Sequence, residues 1–227
     1  MKKLFTYFIL PVAIIALVFL VYKSISKPVQ FDAERDARKA VAVQQLKDIR
    51  DLEVAYKSVF NHFTADADSL KNFYRNGKMK VLLQVGSLDD SSAVAHTEAI
   101  KKAKRGITNE QLYELYQKGD NKLVFTIESE VPTIQTLFVD RKNFNIDNID
   151  VIPFSEGEKV QMDAVVKTVS GVPVPLFEAK MPYNSLLKGM DRQLIINLNA
   201  EMTDTDRYPG LMVGSVENPN NNAGNWE

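Results

Sequence analysis

At 227 residues, with 45% hydrophobic content and no low-complexity bulk, the chain is large enough to bury a core and reads as one large domain or two small ones. Lys and Arg number 28 against 29 Asp and Glu, so the net charge of −1 supplies no field for holding a polyanion, and nucleic acid is not an expected partner. The lack of cysteine excludes disulfides, Cys-ligated zinc and thiol nucleophiles together, and leaves stability to packing.

The first element is the run LFTYFILPVAIIALVFLVY, residues 4–22, which is uncharged throughout and apolar on every face. As a helix at ~1.5 Å per residue it covers ~28 Å, close to the ~30 Å hydrocarbon core of a bilayer, so residues 4–22 are expected to span a membrane once. Lys2 and Lys3 with Ser24-Ile25-Ser26 would also suit a cleaved signal peptide. Against cleavage, the run exceeds the usual ~7–15 apolar residues and Lys23 separates it from the small residues, so a retained anchor is the reading adopted. Counting basic residues sets Lys2 and Lys3 against Lys23, Lys27, Arg35, Arg38 and Lys39, which taken alone keeps the body cytoplasmic. A short Lys-Lys start running directly into the apolar segment is how a signal-anchor begins, and large domains translocate despite their charge. The expectation is a single-pass protein of a bacterial inner membrane with a periplasmic body.

Lys27-Pro28 is expected to end the anchor, because the residue before proline is pushed out of the α region; Asp32 can then cap a second helix running to about Asn61. Leu46, Ile49, Leu52, Tyr56, Val59, Phe60 and Phe63 recur at steps of three and four, giving that helix one apolar face. Its first third, ERDARKA, mixes charge with alanine and places Glu34 four residues before Arg38, the pattern of a solvated stalk. The domain plan is an anchor over 1–27, a stalk helix over 28–61, a body over 62–217 and an Asn-rich tail over 218–227.

Within the body, DADSLKNFYRNGKM reads as a short helix ending at Gly77, followed by a strand from Lys80 to Val85. TNEQLYELYQKG follows, with Thr108 and Gln111 at capping-box spacing and Gly119 at the exit. The period then shortens: LVFTIESEV, KVQMDAVVKTV, LFEAKM and QLIINLNAEM are strand candidates, with a one-turn helix at Tyr183 to Leu187 before the last. Helices followed by an antiparallel sheet give an α+β fold.

Convergent reactive groups are scarce. His62 and His96 are isolated in sequence, and G-x-S-x-G, Walker and G-x-G-x-x-G patterns do not occur, so catalysis, a cofactor and a bound metal are not expected. Asp204-Thr-Asp206 opens like a calcium loop but continues into Tyr208 and Pro209, and DTDRYPG reads better as a turn leading into LMVGSV. Asn220, Asn221 and Asn222 are neutral ligands too weak to dehydrate a dication.

The short basic start, the membrane run, the amphipathic LKDIRDLEVAYKSVFNHFTADADSL, the later sheet and the terminal GNW together resemble a pilin or type II secretion pseudopilin. That resemblance implies a helix that anchors the subunit and then packs in a filament core. The chain departs from it in lacking the acid that prepilin processing requires in the apolar helix, and in carrying Asn where the major pseudopilin carries calcium-binding Asp. Over its whole length, through VIPFSEGEKVQM, PLFEAKMP, RYPGLMVGS and NNNAGNWE, it resembles more closely a family of bacterial membrane-anchored envelope proteins, which brings no activity with it. The expected role is a structural or assembly subunit contacting itself or other envelope proteins; the alternative is a tethered periplasmic ligand-binding or sensor module. Leu46, Ile49, Leu52, Tyr56, Phe60 and Phe63 are expected to seat the stalk, and Tyr208 and Trp226 to form a docking edge. Trp226 is the sole tryptophan and next to last, and a free tail gains nothing from an indole, so it is expected to lie against protein.

Overall fold

A computed structural model describes residues 10–141 and 144–227. Residues 4–9 of the expected span, with Lys2 and Lys3, lie outside the described residues. The architecture is α+β: one long helix, short helices, and two antiparallel sheets.

Helix α1, Leu10–Phe60, is a single run of 51 residues, about 76 Å long. It passes straight through Pro28, so the expected break between anchor and stalk is absent. Proline inside a helix deprives the carbonyl four residues back of its donor. Here that carbonyl belongs to Ser24, just beyond the apolar run, where side chains are exposed and water can replace the missing bond. The stalk is also less solvated than its composition suggests. Phe31 is already buried, and although Arg38 pairs with Glu34 at 2.8 Å as the spacing predicts, its guanidinium also donates to the Lys188 carbonyl at 2.9 Å and covers the Phe154 ring at 4.9 Å. From Phe31 upward, α1 belongs to the body.

Ala42, Leu46, Ile49, Leu52 and Ala55 recur at steps of three and four and are buried, so one stripe of α1 forms the centre of the main core. The opposing layer is a three-stranded sheet in the order β3 (Gln161–Val169), β4 (Val172–Pro182), β5 (Gly210–Gly214), with Ala179 opposite both Met162 and Val213. Phe177, Ala179 and Met181 alternate along β4 and are essentially inaccessible. Phe63, just past the end of α1, meets Phe177 with ring centroids 4.8 Å apart.

Helix α2 (Ala67–Asn76) starts where Asp66 accepts from the amides of Asp68 and Ser69 and stops at Gly77. The chain then forms β1 (Lys78–Val85), α3 (Ser91–Ala103), α4 (Asn109–Gln117) and β2 (Phe125–Pro132). β2 returns antiparallel to β1, pairing Val85 with Phe125 and Leu83 with Ile127. The two inserted helices cover one end of this ribbon, and Val85, Leu112, Leu123, Phe125 and Ile127 make a second, smaller core. The Thr108–Gln111 capping box opens α4 as the sequence predicts. α3 has no counterpart in the sequence reading.

The segment QLIINLNAEM is a helix, not a strand. After the one-turn α5 (Tyr183–Leu186), α6 spans Arg192–Asp204 with Asp191 as its N-cap, whose carboxylate accepts from the amides of Gln193 and Leu194. Ile195 and Leu198 are buried and Met202 packs against the same core, at spacings of three and four, so the helical period outweighs the β-branched Ile-Ile pair. Asp191→Ala is expected to lower stability by about 1 kcal/mol and Asp191→Asn by much less, read as melting temperature of the detergent-solubilised chain.

Candidate membrane anchor and contact surfaces

Between Leu10 and Val29 the apolar side chains of α1 point into open space: Ile15, Phe19, Tyr22, Ile25 and Val29 are all more than half exposed. A bare cylinder of this kind is unfavourable in water by ~25 cal/mol for each Å² of apolar surface. The protein thus carries one N-terminal helix long and apolar enough to cross a membrane.

One line of α1 remains exposed along its whole described length, although at its upper end Asp51 and Ser58 form one wall of an open groove facing Met79, Lys80 and the tail. Ile15, Tyr22, Ala33, Ala40, Asp51 and Ser58 lie within ~20° of a single line at 100° per residue, and all are exposed. The opposite stripe carries the expected seating residues. Leu46, Ile49 and Leu52 are wholly buried and Phe63 nearly so, against the chain's own sheet. Tyr56 is half-buried and Phe60 is 48% exposed; with Phe73 they form an aromatic cluster beside His62 at the far end of the helix. This cluster borders an open hollow of about 210 Å³ lined also by Asn72 and Asn76.

The tail closes onto the body. Gly224 bridges to Val213, the Asn225 amide donates to the Met212 carbonyl at 3.0 Å, and the Asn225 side chain accepts from the Met212 amide at 3.1 Å and donates to the Gly210 carbonyl at 2.9 Å. Residues 223–225 therefore extend β5's edge as a short added strand. Trp226 packs half-buried on the main core, its indole Nε1 without a hydrogen-bond partner among the described residues, and Glu227 pairs with Arg50 of α1 at 2.7 Å. Tyr208 is likewise half-buried, its ring under the Lys180 ammonium at 5.5 Å, and burial followed by the nearby Glu178 pushes its hydroxyl upward. Trp226 and Tyr208 thus dock on their own subunit. Asn220, Asn221 and Asn222 form the turn before them, with Asn220 capping the Asn222 amide.

Three polar clusters combine reactive residue types. Asp150 is held by Lys71 at 2.8 Å and Lys159 at 2.7 Å, and although burial opposes it, the two ammonium groups keep the carboxyl below its usual range. Asp48 accepts from Gln44 at 3.1 Å and Arg141 at 2.5 Å. Ser185 and Lys188 have the S-x-x-K spacing of serine acyl enzymes, a pattern the sequence reading passed over. Here the Ser185 hydroxyl donates to Glu158 at 2.5 Å, Lys188 reaches the other oxygen of the same carboxylate at 3.3 Å, and Ser185 is only 6% exposed. Both hydrogen bonds hold Glu158 ionised, below its usual range, so the cluster ties α5 to the 155–158 turn. Three or more His, Cys, Asp or Glu side chains do not converge in metal-binding geometry among the described residues.

No family model, curated protein or solved structure matches the chain. The functional reading rests on its own geometry.

Proposed function

We propose that the protein is a single-pass subunit of a bacterial inner-membrane envelope assembly, with its body in the periplasm and its lateral contacts made along α1. The observation that carries this reading is the continuity of α1: the same helix is bare and apolar at its lower end, core-forming at its upper end, and exposed along one line throughout. A pilin-like subunit needs this division of labour, one stripe to hold its own sheet and another for its neighbours. Ala33, Ala37 and Ala40 on the uncovered face allow close approach of a second helix. The grooves along α1 beside Asp48 and between α1, β1 and the tail are open to solvent, whereas the alternative of a tethered ligand-binding module calls for a concave site that encloses most of its ligand.

Because the native chain has no cysteine, single substitutions report without background. Ile15→Cys and Ala37→Cys, expressed in membranes and oxidised, are expected to give disulfide-linked dimers, while Ser87→Cys in the β1–α3 loop stays monomeric. Monomer at all three positions would reject lateral assembly through α1 and favour the tethered module. A reporter fused after Glu227 and active only in the cytoplasm would reject the periplasmic body.

A further inference from the structure

We propose that α6 is a membrane-seating element: its outer face rests on the lipid headgroup layer beside the anchor. The inference rests on the reading of residues 4–22 as a membrane span.

The height of α6 above the bilayer follows from counting along α1. The headgroup region adds ~6 Å to each side of the hydrocarbon core, or about four residues of helix, so it extends from Lys23 to about Lys27. Lys27 makes the first contact with the body: its ammonium lies 3.8 Å from Asp191, the N-cap of α6. One turn higher, Pro28, Phe31, Asp32 and Arg35 line a crevice with Leu194 and Leu198 of α6. The apolar lower end of α1 is uncovered by any described residue, and the Lys27–Asp191 pair sets the start of α6 just above it. No flexible joint separates them, since α1 is helical through this region.

The chemistry of the exposed face matches that position. Ile195 and Leu198 turn inward to the core, while Arg192, Ile196 and Ala200, four residues apart, face outward. Ile196 is 47% exposed, on the turn of α6 whose inner residues Leu194 and Leu198 line the crevice with Pro28 and Phe31, about one turn above the Lys27 level. With the exposed Val29 it gives an apolar patch just above the headgroup layer, and Lys23, Lys27 and Arg192 beside it carry long side chains that can reach phosphates. Asp191 and Glu201 offset those cations, so the surface fits a mixed headgroup layer without requiring anionic lipid. Because α1 has no joint, a shallow seat of this kind restrains the tilt and rotation of anchor and body together in the bilayer.

The test uses the full chain in nanodiscs of phosphatidylethanolamine and phosphatidylglycerol containing a lipid with a nitroxide on its headgroup. A fluorophore is placed at Ile196→Cys, at Asp51→Cys about 36 Å above Lys27 along α1, and at Val18→Cys within the span, the last also read against acyl-chain nitroxide. Headgroup nitroxide is expected to quench the label at 196 by about twofold or more and to leave 51 unchanged. Quenching at 18 by the acyl-chain probe together with no quenching at 196 would overturn the seat while leaving the anchor intact. Absence of quenching at 18 would overturn the anchor itself, and with it the seat. Protection of 196 that depends on protein density in the disc would assign the face to a second copy and also overturn the proposal.

Discussion

Glu53→Gln is expected to raise the melting temperature near pH 8 and to change it little near pH 5. Glu53 lies on the core stripe of α1 with no exposed surface; one carboxyl oxygen accepts from the Thr64 amide at 3.1 Å and the other has no partner among the described residues. An unpaired buried carboxylate is strongly disfavoured, so desolvation, only partly opposed by the Thr64 hydrogen bond, pushes the group up to about 8 from an ordinary 4.5. Between those values the native state holds a proton that the unfolded chain has released. The proton's contribution is complete below pH 4.5 and is lost as the pH rises through 8, which makes the native protein less stable by about 3 kcal/mol at pH 8 than at pH 5. Gln keeps the acceptor for Thr64, has nothing to ionise, and leaves one amide N–H pair unsatisfied, much as the protonated acid does. The measurement is melting of both proteins across the pH range. Parallel curves would show that Glu53 is ionised in the native protein and that the Asn61–Asp66 exit loop is held by something else.

Trp226→Ala should destabilise the subunit by about 2–3 kcal/mol, somewhat less than a fully buried tryptophan because part of the indole remains exposed. Its neighbour offers a second route to the same loss. A β-carbon on Gly224 would lie 2.3 Å from the indole, so Gly224→Ala has to displace either the ring or the added strand, at about 1–3 kcal/mol. Since Trp226 docks on its own core, both losses should be independent of protein concentration, whereas a residue working between subunits would weaken association and leave the melting temperature alone. Normal melting of Trp226→Ala would mean that the tail is held by Asn225 and the Arg50–Glu227 pair without the indole.

What could be read from the residues divides along physical lines. Local signals held: the Thr108–Gln111 box, the short α2 helix with its stop at Gly77, and the apolar stripe of α1 all depend on neighbours within a few positions. Pro28 misled because a proline breaks a helix only where its freed carbonyl has no other partner, and that depends on surroundings the sequence does not state. α6 misled because Leu-Ile-Ile favours a strand in isolation, while Asp191 and the burial of Ile195 and Leu198 settle it in context. The division of strands into two sheets, with β1 and β2 closing over α3 and α4, depends on pairings 40 or more positions apart and left no local trace. Of the contact residues, the repeat of Leu46, Ile49 and Leu52 was legible as a buried stripe. The attachment of Trp226 to its own subunit was not, because an isolated indole does not say whose surface covers it.

The unbroken α1 also makes the molecule a lever. From Tyr22 to Phe60 it rises about 57 Å without a joint, so a change of 10° in the direction of its lower end swings the aromatic cluster at the far end sideways by about 10 Å. Any reorientation of the lower end then arrives at the distal tip as a lateral displacement of about one helix diameter, with the body carried along as a rigid passenger.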